Sequence, residues 1–274
     1  MIVTHADKPL IMGILNVTPD SFSDGGKYAD KESAVQQVQR MLSEGVDIID
    51  IGGESTRPNS DPVPALEQIV RVVPVIEAIR QESAVLISID TTSSEVAQAA
   101  LDAGANLIND VSAGLNDPAI FTLAATRNVP IILMHSKGSP KTMQDNPHYD
   151  DVVQEVIDAL QQRIAAALAA GVQRDNIILD VGIGFGKRKQ DNLDLLAQLA
   201  AFVALGFPVL LGTSRKRFMG SICDVSEPAE LVTATAVTTA LGVMEGVSLF
   251  RVHDVKENRQ AVDIAWAIKQ SRGV

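Results

Sequence analysis

Cysteine is nearly absent from the chain, occurring once, at Cys223. An intrachain disulfide and a thiolate metal site are both excluded. Basic residues are in the minority, with 23 Lys plus Arg against 34 Asp plus Glu and a net charge of −11. That field repels polyphosphate backbones, so nucleic acid is not an expected partner, and any anionic ligand must be gripped by a local cluster of cations and backbone N–H groups. No window of 18 apolar residues exists, and no membrane span is expected. The first 30 residues lack a basic segment followed by a long apolar stretch and a cleavage site, so a cytoplasmic enzyme is expected. The four histidines, at positions 5, 135, 148 and 253, form no HxH or HExxH pattern. Ser214 is not set in GxSxG, which removes support for a serine nucleophile. What remains is chemistry by positioning and electrostatics.

What is present is a repeated alternation. Eight short β-rich runs, "LIMGILNV", "DIIDIGG", "AVLISID", "ANLIND", "PIILMH", "NIILDVG", "PVLLGTS" and "SLFRVHD", alternate with helix-period segments at 31–44, 65–82, 93–103, 117–128, 150–170, 191–205, 227–245 and 256–271. Gly45, Gly104, Gly171, Gly206 and Gly246 follow five of the helices as stop signals. Near-continuously apolar strands are buried on both faces, and eight β-then-α units predict a closed parallel (β/α)8 barrel rather than a doubly wound sheet. The length of 274 residues suits one such domain, and no linker or low-complexity tract divides it.

The unusual polar residues fall at the C-terminal ends of these strands, the face on which barrel active sites form. One group is Asp90, Asn109, Asp180 and Lys216. Carboxylates and an amide read the donors of a flat heterocycle, while an ammonium covers its acceptors. The alternative is an interior ion pair of Asp180 with Lys216. A second group is Arg57, Arg251 and His253 with Asn16, from the first, second and last strands, which are neighbours in a barrel. These cations suit a diphosphate, and the Asn16 amide oxygen suits a hard cation such as Mg²⁺. The bland alternative for each arginine is a surface ion pair.

"DVGIGFGKR" at 180–188 holds GxGxG but is neither a dinucleotide fingerprint nor a phosphate loop, because Lys187 and Arg188 intervene before the helix and no Ser or Thr follows the lysine. Its glycines are expected to let backbone approach a flat ligand, with Phe185 as a wall, against the alternative of a flexible loop. His135 is either a satisfied strand-end histidine or a ligand contact.

"MGILNVTPDSFSDGG" at 12–26 and "DIIDIGGESTRP" at 47–58 resemble the two signature segments of the dihydropteroate synthase family. The likeness continues in order through "SIDTTSSEVA", "LINDV", "LMHSKGSPKTMQ", "GFGK", "TSRK" and "RVHDVKE", from residue 9 to about residue 258. It implies a barrel, often homodimeric, that joins 6-hydroxymethyl-7,8-dihydropterin pyrophosphate to p-aminobenzoate and is inhibited by sulfonamides. By position, Asp90, Asn109, Val111, Met134, Asp180, Phe185, Gly212 and Lys216 would hold the pterin. Asn16, Thr56, Arg57, Arg251 and His253 would hold the pyrophosphate, with Asn16 on its Mg²⁺. Phe22, Pro58, Ser214 and Arg215 would frame p-aminobenzoate. Arg57, Lys216, Arg251 and His253 are the implied catalytic residues. The chain departs from the family pattern at Val181 and Ile183, and at Asn59 and Ser60.

The family mechanism is dissociative: pyrophosphate leaves, and the neutral arylamine attacks the resulting pterin cation. The polar segment 18–26 and the proline-containing segment 54–64 resemble the two loops that close over substrate in this family. Two rivals stand beside this reading, a methyltransferase of the same pterin-binding superfamily, which would bind methyltetrahydrofolate, and a non-catalytic barrel that binds pterin or partners through its acidic surface.

Overall fold

The computed structural model describes residues 7–17, 26–55, 61–138, 143 and 146–272. Its strands are β1 (Leu10–Asn16), β2 (Ile48–Gly52), β3 (Leu86–Asp90), β4 (Leu107–Asp110), β5 (Ile131–Met134), β6 (Ile177–Asp180), β7 (Val209–Leu211) and β8 (Leu249–Val252). They pair in chain order, all parallel, and β8 closes on β1 to complete the expected (β/α)8 barrel.

The helices are α1 (Gly26–Ser43), α2 (Ala65–Glu82), α3 (Ser94–Asp102), α4 (Ala119–Arg127), α5 (Val152–Ala169), α6 (Lys189–Ala197), α7 (Leu199–Val203), α8 (Arg217–Cys223), α9 (Val232–Glu245) and α10 (Val255–Ser271). Polar caps fix several starts: Asp151 accepts from the backbone N–H groups of Val153 and Gln154 at 3.1 and 3.0 Å, ahead of α5. All five of the expected stop glycines take positive φ, between +75° for Gly206 and +114° for Gly104.

Helix α1 starts at Gly26, five residues before the expected 31, and three further differences each have a local reason. The single helix expected at 191–205 is two, because Gln198 (φ −123°, ψ 28°) leaves the helical region between α6 and α7. The helix expected from 227 opens with a 3-10 turn at Pro228–Glu230, and Leu231 (φ −84°, ψ 20°) separates it from α9. The short helix α8 was not expected, since seven residues that include Gly220 carry too little periodicity to read.

Side-chain alternation along the strands sorts the interior into two cores. Outward-facing residues such as Ile49, Ile89, Leu133, Leu179 and Phe250 pack beneath the helices. Inward-facing Met12, Ile48, Leu107, Ile132, Ile178, Leu210 and Leu249, with Leu10 and Leu86, form a separate apolar plug in the lower barrel. Two residues further along, the inner face turns mostly polar: Asp50, Ser88, Asn109, Asp180 and Arg251, with Ile14, Met134 and Gly212. A second step along β2, β3 and β8 adds Gly52, Asp90 and His253. The plug is the floor and this ring is the site.

Candidate active site

The polar ring is tied together across the barrel by one guanidinium. Arg251 on β8 donates from Nε to Asp50 Oδ2 and from Nη2 to Asp90 Oδ2, both at 2.6 Å. Asn109 Nδ2 donates to the same Asp50 oxygen at 3.1 Å. Asp50 is fully buried, Asp90 and Asn109 nearly so. A Cβ placed on Gly212 would lie 3.8 Å from the Arg251 Cβ and 4.0 Å from Asp180 Oδ2, and the Asp180 and Arg251 charges act on each other. The two groups separated in sequence, one for a heterocycle and one for an anion, therefore meet at Arg251.

Burial opposes the ionisation of Asp90, Asp180 and Arg251. The Asp90 carboxyl is pushed up to about 7 by its removal from water, with the Arg251 charge pulling the other way and Asp50 adding repulsion. Asp180 is raised as well, by burial, against the stabilising N–H of Gly182 and the charges of Lys216 and Arg251. Burial alone would lower the Arg251 pKa, yet Asp50 and Asp90 hold it above the ordinary value, so it is a permanent cation. Asp50 Oδ1, Ser88 Oγ and Asp90 Oδ1 are buried without a hydrogen-bond partner in the structure.

The strand-6 loop forms one wall. Gly182, Gly184 and Gly186 all take positive φ, +68°, +82° and +63°. Cβ atoms on Gly182 and Gly186 would fall 1.8 Å from the His135 carbonyl oxygen and 2.2 Å from that of Lys137. These two glycines thus serve the approach of the β5 extension rather than of a ligand, which corrects the sequence expectation. Gly184 alone faces the site, its Cβ position lying 3.2 Å from Lys216 Cδ. The Lys216 ammonium stands 4.3 Å from the Phe185 ring centroid, so the cation and the aromatic wall come as one unit. Met134, the last residue of β5, is in register with Asp180, and Val111 follows directly after β4.

His135 is satisfied within the protein: its Nδ1 lies 3.0 Å from Lys187 Nζ. Burial, with the charges of Lys187 and Lys137, drives its pKa down to about 3, so it is neutral. On the other side of the mouth, Ser214 Oγ lies 2.9 Å from His253 Nδ1 and accepts the His253 backbone N–H at 3.1 Å. Arg215 (φ +57°) forms a two-pronged pair with Asp254, at 3.0 and 2.6 Å. Asn16 ends β1, half-buried. Phe22, Thr56, Arg57 and Pro58 lie outside the described residues.

Asp50 and Lys187 also stand in this mouth, although the sequence expectation names neither. Asp50 lies two places after inward-facing Ile48, and so on the barrel's inner face.

The chain's residues 12–253 match the model of the pterin-binding enzymes. The Dihydropteroate synthase of Bacillus subtilis is 44% identical over 99% of this chain and 93% of its own length. A probable bifunctional folylpolyglutamate synthase/dihydropteroate synthase of Haloferax volcanii is 49% identical over 95% of this chain, which spans 31% of that protein. Among solved structures, the Xanthomonas albilineans dihydropteroate synthase with 4-aminobenzoic acid superposes with a TM-score of 0.90 at 45% identity, covering 96% of this chain and 94% of that one. The chain belongs to the pterin-binding enzymes, and among them to the dihydropteroate synthase family, whose members are transferases.

The raised Asp90 pKa carries a stability signature. Between about pH 4 and 7 the folded state holds a proton at Asp90 that the unfolded chain has released, so this group favours folding more as pH falls, by up to about 1.4 kcal/mol per pH unit. Urea unfolding of wild type and Asp90→Asn should therefore give a stability difference, wild type minus variant, that is larger at pH 5 than at pH 8. Equal differences at the two pH values would contradict the assignment.

Proposed function

We infer that the mouth of the barrel binds 6-hydroxymethyl-7,8-dihydropterin diphosphate and p-aminobenzoate and joins them, releasing diphosphate and 7,8-dihydropteroate. The observation that carries this is the gathering at the barrel mouth of Asp90 on Arg251, Asn109 joined to it through Asp50, and Asp180 under the charges of Arg251 and Lys216. In this reading, Asp180 accepts from adjacent ring N–H and amino donors of the pterin. Lys216 covers a ring acceptor, and Met134, Phe185 and Val111 line the apolar faces. Gly212 keeps open the space between Asp180 and Arg251.

Diphosphate departs toward the β1 and β8 ends, where Asn16 and His253 stand, with Arg57 and Thr56 supplied by the segment after β2. Lys216, Arg251, Arg57 and His253 stabilise the negative charge that develops on the departing group. His253 is oriented by Ser214, whose hydroxyl engages its Nδ1. The arylamine attacks as the neutral base and loses its proton after the new C–N bond forms, so no strong general base is required. Ser214 and Arg215, with Phe22 and Pro58, frame p-aminobenzoate, and sulfonamides compete there by sharing the arylamine shape.

Among the described residues no three His, Cys, Asp or Glu side chains gather as a metal cluster. A neutral amide oxygen at Asn16 fits a Mg²⁺ that arrives mainly on diphosphate oxygens and water, with one protein ligand. Bound there, Mg²⁺ would neutralise charge on the leaving group. No helix among the described residues is long and apolar enough to cross a membrane, and cytoplasmic residence is the proposed setting.

Exposed apolar side chains gather on the last helices: Val237 and Leu241 on α9, Ile264 and Ile268 on α10. These helices pack on each other and suit a second copy of the chain. Light scattering should give twice the monomer mass for wild type and the monomer mass for Leu241→Glu. A monomeric wild type would refute this surface as a dimer contact.

The reaction is tested by mixing both substrates with Mg²⁺ and measuring diphosphate release, expected at one per dihydropteroate formed. Asp180→Asn turns an acceptor into a donor facing a donor and should weaken pterin binding by about 2–5 kcal/mol. Release without dihydropteroate, or pterin affinity within twofold of wild type in the variant, would refute the reading.

A further inference from the structure

Lys187 is buried to 3% exposure at the edge of the site, yet it forms no ion pair within 4 Å among the described residues. Among the described residues its hydrogen-bond partners are all neutral, and burial lowers its pKa to about 7 against the attraction of the Asp180 carboxylate. Nζ donates to the Gly182 carbonyl at 2.8 Å and the Phe185 carbonyl at 3.1 Å, and it lies 3.0 Å from His135 Nδ1, with the His135 carbonyl at 3.4 Å. Burying a cation is costly, and the geometry indicates what that arrangement secures.

The acceptors belong to two segments. Gly182 and Phe185 are in the loop after β6, and His135 follows β5. Both loop residues act directly on the site: the Gly182 N–H donates to Asp180 Oδ1 at 2.8 Å, and the Phe185 ring carries Lys216. The β5 end is tied to the same place, because the His135 N–H donates to the Asp180 carbonyl at 3.0 Å. Other ties secure only the rim of the loop, Asn192 Oδ1 to the Gly184 N–H at 2.7 Å and the Tyr149 hydroxyl to the Gly186 carbonyl at 2.8 Å. No other side chain bridges the β5 end to both Gly182 and Phe185 among the described hydrogen bonds.

We propose that Lys187 is a positioning residue for the pterin subsite, its ammonium clipping the strand-6 loop to the end of β5 and so setting the Asp180 carboxylate and the Phe185 ring that carries Lys216. The role rests on the reading of this mouth as the pterin site. A lysine is required because three N–H bonds must diverge from one point toward acceptors on different sides, which a planar guanidinium cannot do. Neutral His135 completes the set: with its Nδ1 as acceptor, the ring proton sits on Nε2.

The test compares wild type, Lys187→Met and Lys187→Arg in steady-state assays of diphosphate release, with calorimetry using 6-hydroxymethyl-7,8-dihydropterin as the probe. Both variants should raise the KM for the pterin substrate and the probe's Kd at least tenfold, while the KM for p-aminobenzoate stays within twofold. Should the methionine variant fail to fold, the arginine variant, which keeps the charge, decides alone. A pterin KM and Kd within twofold of wild type in a folded variant would overturn the role. So would a loss confined to kcat or shared equally by both substrates, the mark of general loosening. A wild type that binds no pterin would overturn the site assignment, and this role with it, an outcome distinct from equal binding by all three proteins.

Discussion

The site depends on one guanidinium buried between two carboxylates. Arg251 joins β8 to β2 through Asp50 and to β3 through Asp90, and Asp50 extends the network to β4 through Asn109. Each carboxylate is costly to bury alone, and removing the shared cation would leave both uncompensated, typically at 3–5 kcal/mol. Burial, with repulsion from Asp50 added, raises the Asp90 carboxyl to about 7 against the pull of Arg251, and among the described residues its second oxygen has no hydrogen-bond partner. The cluster is thus held together and short of donors at once, which suits it to a heterocycle rich in N–H groups.

The closed barrel makes this network possible. An open sheet would present these strand ends in a row, whereas closure brings β8 beside β1 and turns β2, β3, β4, β6 and β8 toward a common axis. Below the network the apolar plug excludes water and fixes the strands' register. Above it, the strand-6 loop and the residues after β7 build walls from backbone turns that need positive φ, at three glycines and at Arg215. Rigidity below and shaped loops above place the chemistry on an ordered floor.

Much of this was legible in the residues. The strand runs ended in polar side chains, and five glycines marked helix ends that the structure places at positive φ. Asp90, Asn109, Asp180 and Lys216 stood out because strand ends rarely carry such groups without purpose. Asp50 did not, because it lies inside the apolar run "DIIDIGG" and its partner is 201 residues away, a distance that only closure bridges. Lys187 was hidden by its neighbour: "GKR" reads as a solvated basic pair, yet Lys187 is buried and Arg188 turns outward to pair with Asp191. The pattern of that loop suggests glycines that make room for ligand, yet two of them make room for the carbonyls of β5's extension, a contact between segments some 47 residues apart in the chain, Gly182 against His135.

The claim at the centre of this account is that Arg251 and Asn109 are set for the pterin by a carboxylate beneath them. Replacing Asp50 with asparagine keeps the shape and removes the charge that both of them bind. Calorimetric titration of 6-hydroxymethyl-7,8-dihydropterin into folded Asp50→Asn protein measures the consequence. The account predicts a Kd at least tenfold weaker than wild type; an affinity within twofold of wild type would contradict it.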